Sequence, residues 1–151
     1  MAEILKISQA SSLAFHSLLL LARQPDKRFS TSELAQSLKV SGAHLSKVLQ
    51  TLVRAGFLKA ERGPAGGYQL AKSPERITLL DIYQAIEGRY QIRRCLLEKK
   101  VCHSKECLFG ELLDKVNQEI KDYLSQNRLS DLIRLEKERS DGKKKASNCK
   151  D

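Results

Sequence analysis

Apolar and small residues recur every three or four positions near the start of the chain: Ala10, Leu13, Ala14, Ser17, Leu18 and Leu21. That stripe predicts an amphipathic helix to about Ala22, with Ser8 as its cap. Gln24-Pro25-Asp26 ends it, because proline lacks an amide hydrogen and biases the preceding residue away from helix. Ser30-Thr31-Ser32-Glu33 opens a second, short helix, capped by Ser30 or Thr31, with Leu34, Ala35 and Leu38 facing inward. After the turn Lys39-Val40-Ser41-Gly42, a third helix spans about 43–55 and buries Leu45, Val48, Leu49 and Leu52. Two helices joined by so short a turn make the helix-turn-helix layout.

The period then changes. Gly56 supplies a left-handed helix end. Phe57 to Ala60 and Tyr68 to Ala71 read as strands around the turn-forming run Arg62-Gly63-Pro64-Ala65-Gly66-Gly67. They predict a hairpin directly after the helix-turn-helix, the wing of a winged-helix domain. The glycines do not form a phosphate loop of the nucleotide-binding kind, since no helix opens after them and no Lys-Ser/Thr follows. Pro74 closes the wing. Thr78 caps a fourth helix to about Glu87, with Leu79, Ile82, Tyr83 and Ile86 inward.

A long helix, about 108–126, follows a cysteine-bearing stretch. Its residues Leu112, Leu113, Val116, Ile120, Tyr123 and Leu124 alternate at three and four, the spacing of a helix–helix seam. The small head cannot cover a seam this long, so pairing with a second copy is expected. Ser130 caps a last short helix through Leu135. From Lys137 the sequence is polar and aperiodic, which predicts a disordered tail. The expected fold is mostly α with a small β-hairpin, a winged helix-turn-helix domain plus a long C-terminal dimerisation helix. Its parts are a DNA-binding domain at 1–90, a cofactor loop at 91–107, the dimerisation and short C-terminal helices at 108–135, and the tail at 136–151.

Charge adds a partner. The 151 residues hold 27 Lys and Arg against 18 Asp and Glu, a formal net charge of +9. Residues 1–76 alone hold 11 basic and 5 acidic side chains. A basic globular half fits a polyanion partner, most often nucleic acid. Ser41, Ala43, His44, Ser46, Lys47 and Gln50 lie on or beside the outward face of the third helix, as short polar or basic side chains able to reach bases or phosphates. Arg62, at the base of the hairpin, is placed to enter a minor groove. No apolar run approaches a membrane span and no secretion signal lines up, so a cytoplasmic protein with reduced thiols is expected.

Three of the four cysteines fall together as Cys95-x6-Cys102-x4-Cys107. Clustered thiolates in a reducing compartment hold zinc or an iron–sulfur cluster more readily than they pair as disulfides. A Cys3His zinc site completed by His16 or His103 is one option, although a Cys-x2-Cys pair is absent. Lys99, Lys100 and Lys105 would offset the negative charge of a thiolate-bound group. An enzyme is not expected. Cys102 and His103 are sequence neighbours on a loop, a poor geometry for a nucleophile and its base, and no orienting acid is evident.

The helix-turn-helix, the hairpin Arg62-Gly63-Pro64-Ala65-Gly66-Gly67-Tyr68-Gln69-Leu70 and three cysteines before a long helix together resemble the IscR/NsrR family of winged-helix bacterial transcription regulators, over residues 4–135. The resemblance implies a homodimer on pseudo-palindromic promoter DNA, usually a repressor, whose iron–sulfur cluster, [2Fe–2S] or [4Fe–4S], sets DNA affinity. Nitric oxide, redox state or iron and cluster supply would be the signal. Cys95, Cys102 and Cys107 match the three thiolate ligands. The fourth ligand varies within the family. One branch uses a histidine three residues after the last cysteine, which here is Gly110. Another uses an acid in the first helix, matched by Ser12. A third uses a histidine one turn further, matched by His16. His16 is thus the leading metal candidate, His103 the runner-up and Cys149 the last. In family members that use the first helix, the ligand can come from the partner subunit. The alternative is a winged-helix regulator with a structural zinc site or a non-metal ligand.

Overall fold

The computed structural model describes residues 5, 7–92, 95 and 109–147, of which 139–147 are described as backbone. Three helices come first: α1 (Gln9–Arg23), α2 (Thr31–Leu38) and α3 (Gly42–Arg54). Strands β1 (Leu58–Glu61) and β2 (Gly67–Leu70) follow, then a 3-10 turn (Pro74–Arg76). The chain continues through α4 (Leu79–Glu87), α5 (Gly110–Gln126) and α6 (Leu129–Ser147). This is the mostly helical fold with one small antiparallel hairpin that the hydrophobic pattern predicts.

Local chemistry sets the helix starts. Ser8 Oγ accepts from the Ser11 amide at 3.1 Å and caps α1. Ser30 and Glu33 cap α2 reciprocally, as do Thr78 and Asp81 for α4. Each pair satisfies two amides that a helix start would otherwise leave open. The Glu33 carboxyl lies below the ordinary carboxylate range, chiefly through its bonds from the Ser30 amide and hydroxyl.

The inward faces of α1 to α4 share one core. Leu18, Leu21, Leu34, Leu45, Leu49, Leu52, Ile77 and Ile82 are fully buried in it, together with Leu129 at the start of α6. Burying each leucine or isoleucine contributes roughly 1.5–3 kcal/mol, so this shared interior fixes α3 relative to the hairpin.

The hairpin pairs Leu58 with Leu70, Lys59 with Gln69, Ala60 with Tyr68 and Glu61 with Gly67. A third segment joins it. Phe29, just before α2, exchanges both backbone bonds with Tyr68, at 3.1 and 2.8 Å. Gly67 makes this approach possible. Its φ is +146°, and a Cβ there would lie 2.7 Å from the Phe29 carbonyl oxygen. A Cβ on Gly66 would meet the Glu61 carbonyl oxygen at 2.3 Å. Gly67 is therefore required by the close approach of Phe29, and Gly66 by crowding within the turn's own backbone.

The start of α6 is clipped to the segment that leads into α4. The Leu129 amide donates to the Ile77 carbonyl at 2.9 Å, and the Leu79 amide donates to the Asn127 carbonyl at 3.0 Å. From there α6 packs along α1, and Arg23 pairs with Glu136.

Three sequence expectations change. The Asp131 carboxylate accepts from the Arg128 amide at 2.9 Å, so the start of α6 is closed from its third residue rather than by Ser130. Second, the polar stretch expected as a disordered tail from Lys137 continues α6 to Ser147. Glu, Lys, Arg and Ala are strong helix formers, and propagation from a packed helix start is easy even past Gly142. Third, the α5 seam is divided. Leu113 is buried and Leu124 packs on the shared core, whereas Leu112 and Tyr123 stay exposed.

Candidate nucleic-acid interface and metal centre

The short turn between α2 and α3 is tight because Lys39 adopts a left-handed conformation, φ 55°. It presents α3 with Leu45, Val48, Leu49 and Leu52 buried beneath it. The opposite face is open. Ser41, Ala43, Lys47 and Gln50 are exposed, and His44 and Ser46 are half-buried. Ser41 precedes α3 without a side-chain cap bond, which leaves its hydroxyl and the first α3 amides available. Arg62 is exposed immediately after β1, at the turn end of the hairpin and not at its base as expected, because Glu61–Gly67 is the last strand pair before the turn. Nearby, Glu61 is engaged by Arg28 at 2.7 Å, so the acid beside Arg62 is neutralised. Helix face and wing tip thus offer donors and positive charge, set by a rigid scaffold.

The metal candidates divide. Cys95 is a half-buried free thiol. Cys102, His103, Cys107 and Cys149 lie outside the described residues. Among the described residues, no three His, Cys, Asp or Glu side chains converge as a metal site. His16 is exposed on α1, and its Nδ1 lies 2.7 Å from the Ser12 carbonyl oxygen. A carbonyl accepts only, so Nδ1 carries the hydrogen and, in the neutral ring, Nε2 keeps its lone pair. That is the second-sphere arrangement usual for a ligating histidine. His16 lines a cleft of about 340 Å³ with Phe15, Leu19, Tyr123, Leu132, Leu135 and Glu136. Cys95 does not line that cleft.

Two contacts anchor the chain where it leaves the head for the cysteine run, and the sequence reading missed both. The Glu87 carboxylate, at the end of α4, accepts from the Ser8 amide at 3.0 Å and from the buried Ser11 hydroxyl. It thus sits at the amino end of α1, where the helix dipole favours an anion. Gly88 then turns the chain with φ 84°. Tyr90 follows, its hydroxyl near the carbonyl and side-chain oxygens of Asn117 on α5 and its ring edge-on to Tyr83 at 5.7 Å. Burial and, secondarily, Tyr83 push the Tyr90 hydroxyl pKa up. One signal was available in the sequence: Asn117 interrupts the apolar spacing of α5 and is fully buried. A buried amide requires partners.

A sequence model described as Rrf2, Iron-dependent Transcriptional regulator, matches residues 7–135. The chain belongs to the Rrf2 family. Its members here are transcription regulators that bind DNA, and not enzymes. Among Rrf2 relatives, the chain is 35% identical over 143 residues to the HTH-type transcriptional regulator YwgB of Bacillus subtilis, covering 88% of this chain and 92% of that one. It is 39% identical over 83 residues to the regulator BadM of Rhodopseudomonas palustris, a match spanning 55% of this chain and 53% of BadM. The structure of CymR, the global cysteine regulator of B. subtilis, superposes with a TM-score of 0.74 at 28% identity, covering 87% of this chain and 98% of CymR. T. potens IscR shares the fold at 23% identity, with a TM-score of 0.68 over 86% and 87% of the two chains.

Proposed function

We propose that this Rrf2 protein is a homodimeric repressor whose affinity for promoter DNA is set by an iron–sulfur cluster. The observation that carries the reading is the position of Cys95, the first cysteine of the run. Cys95 stands half-buried just past a joint that Glu87 ties to α1 and Tyr90 ties to α5. Cys95, Cys102 and Cys107 would supply the thiolates. The open Nε2 of His16 fits a fourth ligand. When bound, such a cluster supplies sensitivity to nitric oxide, oxygen and iron or cluster supply.

The chain's own residues do the rest. In each copy, α3 enters a major groove through Ser41, Ala43, His44, Ser46, Lys47 and Gln50, while Arg62 reaches the adjacent minor groove. Exposed Leu112 and Tyr123, 56% and 54% accessible, support pairing of α5 with a second copy. Displacing Cys95 pulls on Gly88 to Tyr90, and thereby on both α1 and α5. The angle between two paired heads is then coupled to the state of the loop, typically by about 1–3 kcal/mol. The protein acts in the cytoplasm, where its promoter and reduced thiols are found.

Anaerobic purification tests the reading. The protein should be brown, with iron and sulfide in comparable amounts. Cys95→Ala, Cys102→Ala and Cys107→Ala should each lose the colour, and Cys149→Ala should keep it. His16→Ala should shift the spectrum and leave iron more labile. A colourless anaerobic protein with stoichiometric zinc overturns the sensing role and leaves a structural site.

A second reading, regulation by a non-metal ligand, draws on the likeness to CymR at 28% identity and on the cleft beside His16. Metal-free protein whose promoter affinity responds to a small thiol or amino acid would favour it.

A further inference from the structure

Between α3 and the hairpin runs a groove of about 360 Å³ lined by Gln50, Val53, Arg54, Ala60 and Tyr68. Its helix side continues the reading face. Lys47, Gln50 and Arg54 are spaced three and four apart, so they stand on one stripe of α3. Its other wall is the inner face of the hairpin. Strand alternation puts Ala60 and Tyr68 on this face, and Lys59 and Glu61 on the opposite one, where Glu61 pairs with Arg28. Among the described residues, no carboxylate lines the groove.

The backbone that carries one lining group, and the Nε of another, are bonded within the protein. The Tyr68 backbone is locked to Phe29 through both of its polar groups. Arg54 Nε donates to the Gln50 carbonyl at 3.4 Å, which draws the guanidinium back along the helix and leaves its terminal nitrogens for another acceptor. Among the described residues, Arg54 forms no ion pair. A wall bearing a phenol, an amide and, among the described residues, a guanidinium without an ion pair matches a phosphate diester.

We infer that this groove is a clasp for one DNA backbone phosphate, the one lying between the major groove read by α3 and the minor groove reached by the wing, with Arg54 as its charged donor and Tyr68 as a neutral one. The inference rests on the winged-helix docking given above. It adds a positioning contact to residues whose task is base reading. Phosphate contacts fix register and carry no sequence information, so the clasp would set how deeply α3 and Arg62 enter their grooves.

Salt dependence isolates the clasp from a structural role of Arg54 in the last turn of α3. Promoter binding by the purified full chain is titrated from about 50 to 200 mM salt, and each neutralised phosphate contributes about 0.9 to the slope of log affinity against log salt. Arg54→Gln should flatten that slope by about one contact and weaken cognate and random duplexes by the same factor. Arg54→Lys should keep the slope. Tyr68→Phe should lose affinity a few-fold with the slope unchanged. An unaltered slope in Arg54→Gln, or a loss confined to the cognate sequence, overturns the clasp while leaving the reading head intact. A wild-type chain with no affinity for duplex DNA would sink the docking itself, and the clasp with it.

Discussion

Tyr90 donates its hydroxyl hydrogen to the backbone carbonyl oxygen of Asn117, 3.2 Å away, and so fastens the exit from the reading head to the middle of α5. Asn117 is itself fixed, because its side-chain amide donates to the Leu113 carbonyl at 2.7 Å. Removing the hydroxyl in Tyr90→Phe should cost about 1 kcal/mol of stability at neutral pH. It should also change the alkaline limb. The folded protein holds the Tyr90 proton more tightly than the unfolded chain does, so stability is full below the ordinary tyrosine value of 10.0 and falls as pH rises toward the higher folded value. Urea titrations at pH 8 and pH 10.5 should show that extra loss in the wild type and a smaller one in Tyr90→Phe. Equal pH dependence in the two would remove the half-buried phenol from this account.

Base reading predicts a different pattern from phosphate contact. Lys47→Ala and Arg62→Ala should each cost about 1–3 kcal/mol on the cognate promoter and much less on random duplex. Gel-shift titration at one fixed salt concentration measures both. Unchanged cognate affinity in the two variants would remove the α3 face and the wing as readers.

Pairing through α5 predicts that Leu112→Glu gives a folded monomer. Leu112 is exposed in a single copy, so a carboxylate there leaves the protomer's core intact. In a paired interface the same carboxylate would be desolvated, at several kcal/mol. Light scattering should therefore report a halved mass with unchanged circular dichroism. A wild type that already scatters as a monomer contradicts the pairing.

Ser17 offers a test of the core. Its hydroxyl is fully buried on α1 and is without a hydrogen-bond partner among the described residues. An unsatisfied buried hydroxyl costs about 1–3 kcal/mol, partly offset by the contacts its oxygen makes. Ser17→Ala should accordingly be more stable than wild type by about 1 kcal/mol in thermal or urea unfolding. A clear loss would mean that the hydroxyl has a partner, such as an internal water.

Where packing follows sequence spacing, the fold was legible. Leu13, Leu18 and Leu21, then Leu45, Val48, Leu49 and Leu52, are buried as their periodicity requires. Ser8, Ser30 and Thr78 cap as their chemistry suggests. The contacts that bind separate elements were not legible. Nothing near Glu87 indicates that its partner is the amino end of α1, 79 positions earlier. Nothing near Phe29 indicates that it will extend the hairpin. Those pairings arise from how elements meet, and no local period encodes them. The division of the α5 seam has the same origin: one stripe of apolar residues serves two neighbours, and spacing alone does not apportion them.

The fixing of α5 at two points has a mechanical consequence. Tyr90 holds its middle, and the Leu79–Asn127 bond holds its far end to the segment entering α4. Helix and head therefore move as one lever. In a paired form with reading helices about 34 Å apart, a 5° tilt of each lever about an axis perpendicular to the symmetry axis would move a head about 17 Å from the pivot by roughly 1.5 Å relative to its partner's frame. Base-edge hydrogen bonds span only about 2.7–3.2 Å, so a rotation too small to disturb any single protomer suffices to throw both halves of the dimer out of phase with the duplex.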